Sequence, residues 1–360
     1  MTTINPDRLA IARAAYEGVP LYDPKRAPVA LDLTDNTNLW GVPPAAARAL
    51  REFSHATVTR YPSLYGDELK RALAEHAGVT PDMVVTGCGS DDILDSAMRA
   101  FGDADDLVAA SDPTFAMVPI FARMNALRST LIAELPDHEI DVDALLEANA
   151  KMLYICSPNN PTGALVARRT LERLVENVTG VLIIDEAYVE FAGVSNVDLL
   201  ARSPRVLIVR TMSKAFGLAG LRVGYALGQP ALVREVEKSR GPYKVNALAE
   251  HVAVTALRDD VQWVLEHIQL AVENRDRLTI ELLRLGLDPL PSSANFVCVP
   301  VKQSAAVGMA MRAKGVGVRP FEGLPGFGDA LRISVGPWPM VERCVKTLAA
   351  VLRKGGKACG

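Results

Sequence analysis

A lysine set among small residues is the first feature with chemical potential. The segment Thr211-Met-Ser213-Lys214-Ala-Phe-Gly-Leu-Ala-Gly-Leu-Arg222-Val-Gly224-Tyr225 carries Ser213, Lys214 and Arg222 amid glycine and alanine. A desolvated lysine gives up its proton easily and can form an imine with a carbonyl. Ser213 and Arg222 would offer a hydroxyl and a forked cation to a phosphate. Asp185 ends the apolar run Val181-Leu-Ile-Ile184, and Tyr188 follows three residues later. A carboxylate in such a place needs a partner, because an unpaired buried charge is costly. A protonated ring nitrogen would satisfy it, and the Tyr188 phenol would reach an oxygen on the same ring. In Ser157-Pro-Asn-Asn160-Pro-Thr-Gly163, the Asn160 amide can donate to that oxygen. Thr86-Gly87-Cys88-Gly89-Ser90-Asp91-Asp92 is a glycine-rich turn opening a helix, and the free N–H groups of such a terminus bind phosphate. It is not a dinucleotide fingerprint, since Asp92 stands at the third glycine position, and it lacks the GK[ST] ending of a P-loop.

Each piece alone has a plainer reading: a solvated loop lysine, a strand-end ion pair, a Pro/Gly turn, or a helix cap at Ser90 or Asp91. Together they suit one ligand, an aldehyde-bearing pyridine with a phosphate arm. That ligand is pyridoxal 5′-phosphate (PLP).

The elements that must position these residues are short, β-rich and continuously apolar. Strands are expected at 83–86, 107–110, 152–156, 181–184 and 206–209, with helices at 92–101, from about 114, and at 170–178. Runs apolar throughout are the mark of strands covered on both faces. Repeated βα units predict a three-layer α/β fold with a mostly parallel sheet, whose ligands sit at the carboxyl ends of the strands. After about residue 230 the pattern changes to a smaller α+β layer. Helices are expected at 231–240, 251–285, 305–314 and 340–354, and strands at 294–300, 316–319 and 331–335.

Composition narrows the function classes. The 360 residues suggest about two domains at roughly 150 each. Hydrophobic residues at 49% and charged residues at 22% exclude a disordered, collagen-like or coiled-coil chain. A net charge of −3 with scattered Lys and Arg argues against nucleic acid as a partner. Apolar runs fall far short of the ~18 residues that cross a bilayer, so no membrane partner is expected. Met1–Arg8 lacks the apolar core of a signal peptide, and the five scattered cysteines (Cys88, Cys156, Cys298, Cys344 and Cys359) form no CxxC pair. Reduced thiols and a cytoplasmic location are expected. The histidines have no metal-ligand spacing, and no metal site is expected.

Through SPNNPTG (Ser157–Gly163), DEAY (Asp185–Tyr188) and SKAFGLAGLRVGY (Ser213–Tyr225), the chain resembles the fold-type-I PLP-dependent aminotransferases, and within them the histidinol-phosphate aminotransferase group. The resemblance runs from about Leu33 to the final helix. It implies that Lys214 forms the imine with the cofactor, that Asp185 pairs with the pyridinium, and that Asn160 and Tyr188 hold the ring oxygen. It places Gly89, Ser90, Asp91, Ser213 and Arg222 in or beside a phosphate cup. Phe115 falls where the family stacks an aromatic on the ring. Tyr61 resembles a tyrosine that serves the neighbouring subunit's phosphate, which implies a homodimer. Arg332 and Arg319 resemble arginines that grip the substrate's acidic group. The implied large PLP-binding domain is 46–258, and the small domain combines 1–45 with 259–360.

One departure bears on substrate. The family's Asn-Glu-Asn-Pro-x-Gly motif reads Asn36-Thr37-Asn38-Leu39-Trp40-Gly41, without the acid and the proline. Asn38 and Trp40 are expected to contact the substrate there, with Trp40 as a flat apolar surface. Cys88 also replaces the usual Asn of GNGSDE, beside the phosphate cup. The leading expectation is amino-group transfer from a small-molecule amino donor to a 2-oxo acid. Histidinol phosphate is the first candidate donor and aromatic amino acids the next. A PLP-dependent decarboxylase of a phosphorylated amino acid is the alternative, since its cofactor residues would look the same. A PLP-binding regulator would need a DNA-binding domain, and only about 45 residues precede the large domain.

Overall fold

The computed structural model describes residues 13–19, 21 and 27–355; Met1–Arg8 and Cys359 lie outside them. In chain order the strands are β1 (Leu31–Asp32), β2 (Val84–Cys88), β3 (Leu107–Asp112), β4 (Arg128–Ala133), β5 (Met152–Cys156) and β6 (Val181–Asp185). They continue with β7 (Val206–Thr211), β8 (Val223–Gly228), β9 (Phe296–Pro300), β10 (Val316–Gly317), β11 (Arg319–Leu324) and β12 (Gly328–Ser334). Seven of them form one sheet in the order β2-β8-β7-β6-β5-β3-β4. Only β8 runs antiparallel to its neighbours there. The mostly parallel α/β sheet expected from the apolar runs is present.

Side chains alternate between the two faces of this sheet with period two. Tyr154, Cys156, Ile183, Val209 and Ala226 pack on one face, under the helices Gly89–Phe101 and Met117–Met124. Leu153, Ile155, Ile184, Ile208 and Leu227 pack on the other, under Pro44–Glu52, Asp67–Ala77 and Ala247–Asp259. Helix Gly89–Phe101 shows why it folds where it does: Ile93, Leu94, Ala97 and Met98 form one buried stripe. The same alternation sends the adjacent acids Asp185 and Glu186 opposite ways. Glu186, fully buried, takes both Nε (2.9 Å) and Nη2 (2.7 Å) of Arg210.

The smaller layer is a three-stranded antiparallel sheet, β11-β12-β9, with β1 and β10 paired parallel beside it. Its core includes Leu278, Val297, Val299, Ile333, Val341 and Leu348. Helices Val261–Arg284, Ser304–Arg312 and Trp338–Gly355 supply the cover.

Several expectations need correction. The helical stretch 251–285 is two helices, Ala247–Asp259 and Val261–Arg284, broken at Asp260. The Asp260 carboxylate accepts the N–H groups of Ala45 (2.9 Å) and Ala46 (2.8 Å), free donors in the first turn of Pro44–Glu52. The expected strand 316–319 divides between two sheets, at β10 and β11. The helix expected from about 114 begins at Met117. Strands β4 and β8 were not anticipated. β4 is an edge strand with mixed burial, and β8 follows directly on the glycine-rich lysine segment.

Among the described residues, no helix is long and apolar enough to cross a membrane, and no group of three or more His, Cys, Asp or Glu is placed to hold a metal ion.

Candidate active site

The carboxyl ends of β2, β5, β6 and β7, with the start of antiparallel β8, converge on a cavity of about 550 Å³. Its wall brings together Ser90, Asp91, Phe115, Asn160, Asp185, Tyr188, Ser213, Lys214, Arg222, Arg319 and Arg332. Residues as distant in sequence as Ser90 and Arg222 thus meet at one place because the strands beside them lie next to each other.

Asp185 forms the floor, with 3% of its surface exposed. Tyr154 Oη donates to its Oδ2 at 2.6 Å, and the Ala187 N–H donates to its Oδ1 at 3.0 Å. Burial pushes its pKa up to about 6, against the pull of those two bonds. Both donors are neutral, so the carboxylate is solvated by the protein but not neutralised by it. That is a receptor for a cationic ring nitrogen.

Lys214 Nζ donates to the Asp35 carbonyl at 2.9 Å. Burial, and then the charge of Arg332, lower its pKa to about 8. An amine held near neutrality is a competent nucleophile and proton carrier.

Tyr188 is buried, and burial raises its pKa to about 12, so it keeps its proton. Asn36 Nδ2 donates to the phenol oxygen at 3.1 Å, which leaves the Tyr188 proton for another acceptor. Asn36 is itself fixed by the small layer. Its N–H donates to Ser334 Oγ at 2.9 Å, and Asn295 Nδ2 donates to its carbonyl at 3.0 Å. Its φ of 54° is a left-handed conformation that asparagine tolerates well.

The residues expected to form a phosphate cup gather at the first turn of helix Gly89–Phe101. Arg222 Nη2 donates to Asp91 Oδ2 at 3.2 Å, and Thr211 Oγ1 donates to Ser213 Oγ at 2.9 Å. Gly89 stands behind Arg222 rather than on the wall. A Cβ there would lie 2.4 Å from Arg222 Nη2, and one at Gly224 would lie 2.2 Å from Ser90 N. Glycine at both positions lets the helix terminus approach the end of β8.

Arg332 is 7% exposed. Its Nη2 donates to the Thr34 carbonyl at 2.7 Å, and its Nη1 donates to Asn160 Oδ1. Its Nε is buried with no hydrogen-bond partner. All its acceptors are neutral, and burial lowers its pKa. Antiparallel register places Arg319 opposite Arg332.

Asn38 and Trp40, expected at the substrate, stand off the cavity wall. Asn38 Nδ2 donates to the Ala215 carbonyl at 2.9 Å, and its Oδ1 accepts the Trp40 N–H, so the side chain splints the backbone. The Trp40 ring meets His267 edge-on at 6.0 Å, and His267 stacks on Trp263. Neither residue lines the cavity; Asp35, Asn36 and Thr37 do. Tyr61 is 84% exposed, stacked on Tyr243 at 4.9 Å, and also lies outside this chain's cavity. Sequence reasoning missed Tyr154, Asn36 and Phe321. Only Tyr154 left a signal, as the polar-tipped residue inside the apolar run Met152–Cys156.

Residues 28–348 match the family of class I and II aminotransferases, and the chain belongs to that family of PLP-dependent enzymes. It is similar to the histidinol-phosphate aminotransferase of Roseiflexus castenholzii, at 38% identity over 320 residues and 85% of each chain. It is 34% identical to the aromatic amino acid aminotransferase of Nocardia farcinica over 338 residues, covering 90% of this chain and 92% of that protein. The crystal structure of histidinol-phosphate aminotransferase from Sinorhizobium meliloti with pyridoxal-5′-phosphate superimposes with a TM-score of 0.84. That pair is 25% identical and covers 96% of this chain and 99% of the other.

The site fits the cofactor: an uncompensated buried carboxylate, a near-neutral lysine, a phenol with a spare proton and a helix terminus for phosphate. When bound, PLP supplies the electron sink that amino-acid side chains lack. The residues of the chain would do the rest. Lys214 would hold and move a proton at Nζ. Asp185 would keep a positive charge on the floor. Tyr188 and Asn160 would offer donors to an oxygen between them. The Arg332 Nε–H remains to be satisfied.

Proposed function

We propose that this aminotransferase takes an amino donor combining an anionic group with a flat or apolar side group, histidinol phosphate first and aromatic amino acids next. The supporting observation is the buried Arg332, whose Nε has no acceptor, on the wall of a cavity that Arg319 also lines. A phosphate or carboxylate would complete it, and a bidentate arginine–anion contact contributes on the order of 1.5–3 kcal/mol. Phe115 and Phe321 provide the apolar wall. The acceptor in this reading is a 2-oxo acid. The decisive experiment compares kcat/KM for histidinol phosphate, phenylalanine, tyrosine and a small aliphatic amino acid, each with 2-oxoglutarate. A preference for the aliphatic donor would refute the proposal. Release of carbon dioxide from a phosphorylated amino acid, without transfer to the oxo acid, would establish the decarboxylase alternative.

The working enzyme in this reading is a cytoplasmic homodimer, in which the exposed Tyr61 reaches the partner's cofactor phosphate. The two-layer construction supports a large domain of 46–258 and a small domain of 1–45 with 259–360.

A further inference from the structure

Tyr154 lies beneath the site floor on β5, next to the strand that carries Asp185. Register pairs Cys156 with Asp185, so Tyr154, two residues earlier, projects from the same face. It is fully buried. A phenylalanine would fill that space without bringing a hydroxyl into the core, so the hydroxyl needs a reason. Its Oη donates to Asp185 Oδ2 at 2.6 Å, within the 2.5–2.7 Å typical of a charge-assisted O–H···O⁻ bond.

We infer that Tyr154 is a positioning residue for amino-group transfer, whose hydroxyl holds the Asp185 carboxylate ionised and in one orientation for the cofactor's ring nitrogen. The inference rests on the aminotransferase class and not on the identity of the amino donor.

The surroundings of Asp185 leave this task to Tyr154. Cys156, from the same strand, gives its own hydrogen bond to the Pro158 carbonyl at 3.3 Å. Burial raises its thiol pKa, so it stays neutral. Asp91, at the helix terminus, and Glu186, next along β6, both carry charge that opposes ionisation of Asp185. Tyr188 stays protonated and faces Asn36. The backbone N–H of Ala187 is the other donor to Asp185, and only a proline at that position would remove it. Burial raises the Tyr154 pKa well above 10, so the shared proton belongs to the phenol and the charge to Asp185.

The test is Tyr154→Phe, which keeps the ring and removes only the hydroxyl. In the cofactor-free protein, carbon-13 NMR of labelled aspartate should show the Asp185 titration midpoint rising by about one unit or more, the scale of a hydrogen bond to a charged group. In the PLP-loaded enzyme, the acid limb of the kcat/KM profile should move up with it. At its plateau, kcat should fall by about 10-fold or more with KM little changed. Site-specific 3-fluorotyrosine at 154, a stronger donor, should move the midpoint down. A midpoint and an acid limb that stay in place in both proteins would overturn the inference, whatever happens to the rate.

Discussion

Arg332 and Asn160 are hydrogen-bonded to each other, Nη1 to Oδ1, across the cleft between the two sheets. One comes from β12 of the small layer and the other from the turn after β5. The group that would receive the substrate's anion is therefore tied to the group that would hold the cofactor's ring oxygen. An anion that draws Arg332 toward itself must loosen or reorient Asn160.

Arg332→Ala should lower kcat/KM for an anionic donor by about 10- to 150-fold, the range for losing a charged hydrogen-bonding partner. The loss should be much smaller for a donor analogue lacking the anion. Steady-state kinetics with the matched pair of donors checks this. Equal losses for both would show that Arg332 serves the fold instead.

Borohydride should fix the pyridoxyl group on Lys214, because its amine is the near-neutral one in the cavity, at a pKa of about 8. Peptide mass spectrometry locates the adduct. A pyridoxyl group on any other lysine, or on none after PLP is supplied, contradicts the assignment.

Asp185→Asn should cost ~10² to 10³ in turnover, the usual loss for a positioned electrostatic group. It should also stabilise the cofactor-free protein at neutral pH. The folded pKa of Asp185 is about 6 against a reference of 3.8, so the native state binds the extra proton between those values. Its contribution to stability therefore falls as pH rises through that window. At pH 7 the cofactor-free variant should exceed the parent by at most about 3 kcal/mol, and at pH 3 the two should agree. Thermal melts at both pH values decide it.

A homodimer with shared sites should show complementation. Mixing inactive Lys214→Ala with impaired Tyr61→Ala gives heterodimers in which one site keeps both the lysine and the tyrosine. Activity should partly return. A fully active monomer in sedimentation experiments would contradict the shared site.

Trp40→Ala should lower stability by about 1–3 kcal/mol and leave the ranking of amino donors unchanged, since the ring packs on His267 and not on the cavity. A changed ranking in donor competition assays would return Trp40 to the substrate's surroundings.

The floor of the site was legible because parallel strands deliver their ends to one edge. Asp185, Asn160 and Lys214 each follow an apolar run, and the run ends where the chemistry starts. β8 was hidden because Val223–Gly228 continues a segment whose glycines read as a loop. The roof was harder still. Asn36 and Asn38 are two residues apart and alike in type, and the left-handed turn at Asn36 decides which one faces Tyr188. Nothing in the local sequence sets that turn; it depends on Ser334 and Asn295, roughly 260 to 300 residues away in the chain. Tyr154 reads as one more strand residue until β6 is laid beside it.

Asp260 fastens Ala45 and Ala46, so the polypeptide enters and leaves the seven-stranded body at a single knot. All seven strands of the larger sheet, from β2 to β8, lie between those two points of the chain. A ribosome releasing this chain delivers Lys214, Asp185 and the phosphate cup long before Asn295, Arg332 and Ser334. The floor can fold while Asn36, made first, still waits for the partners that lower it into place.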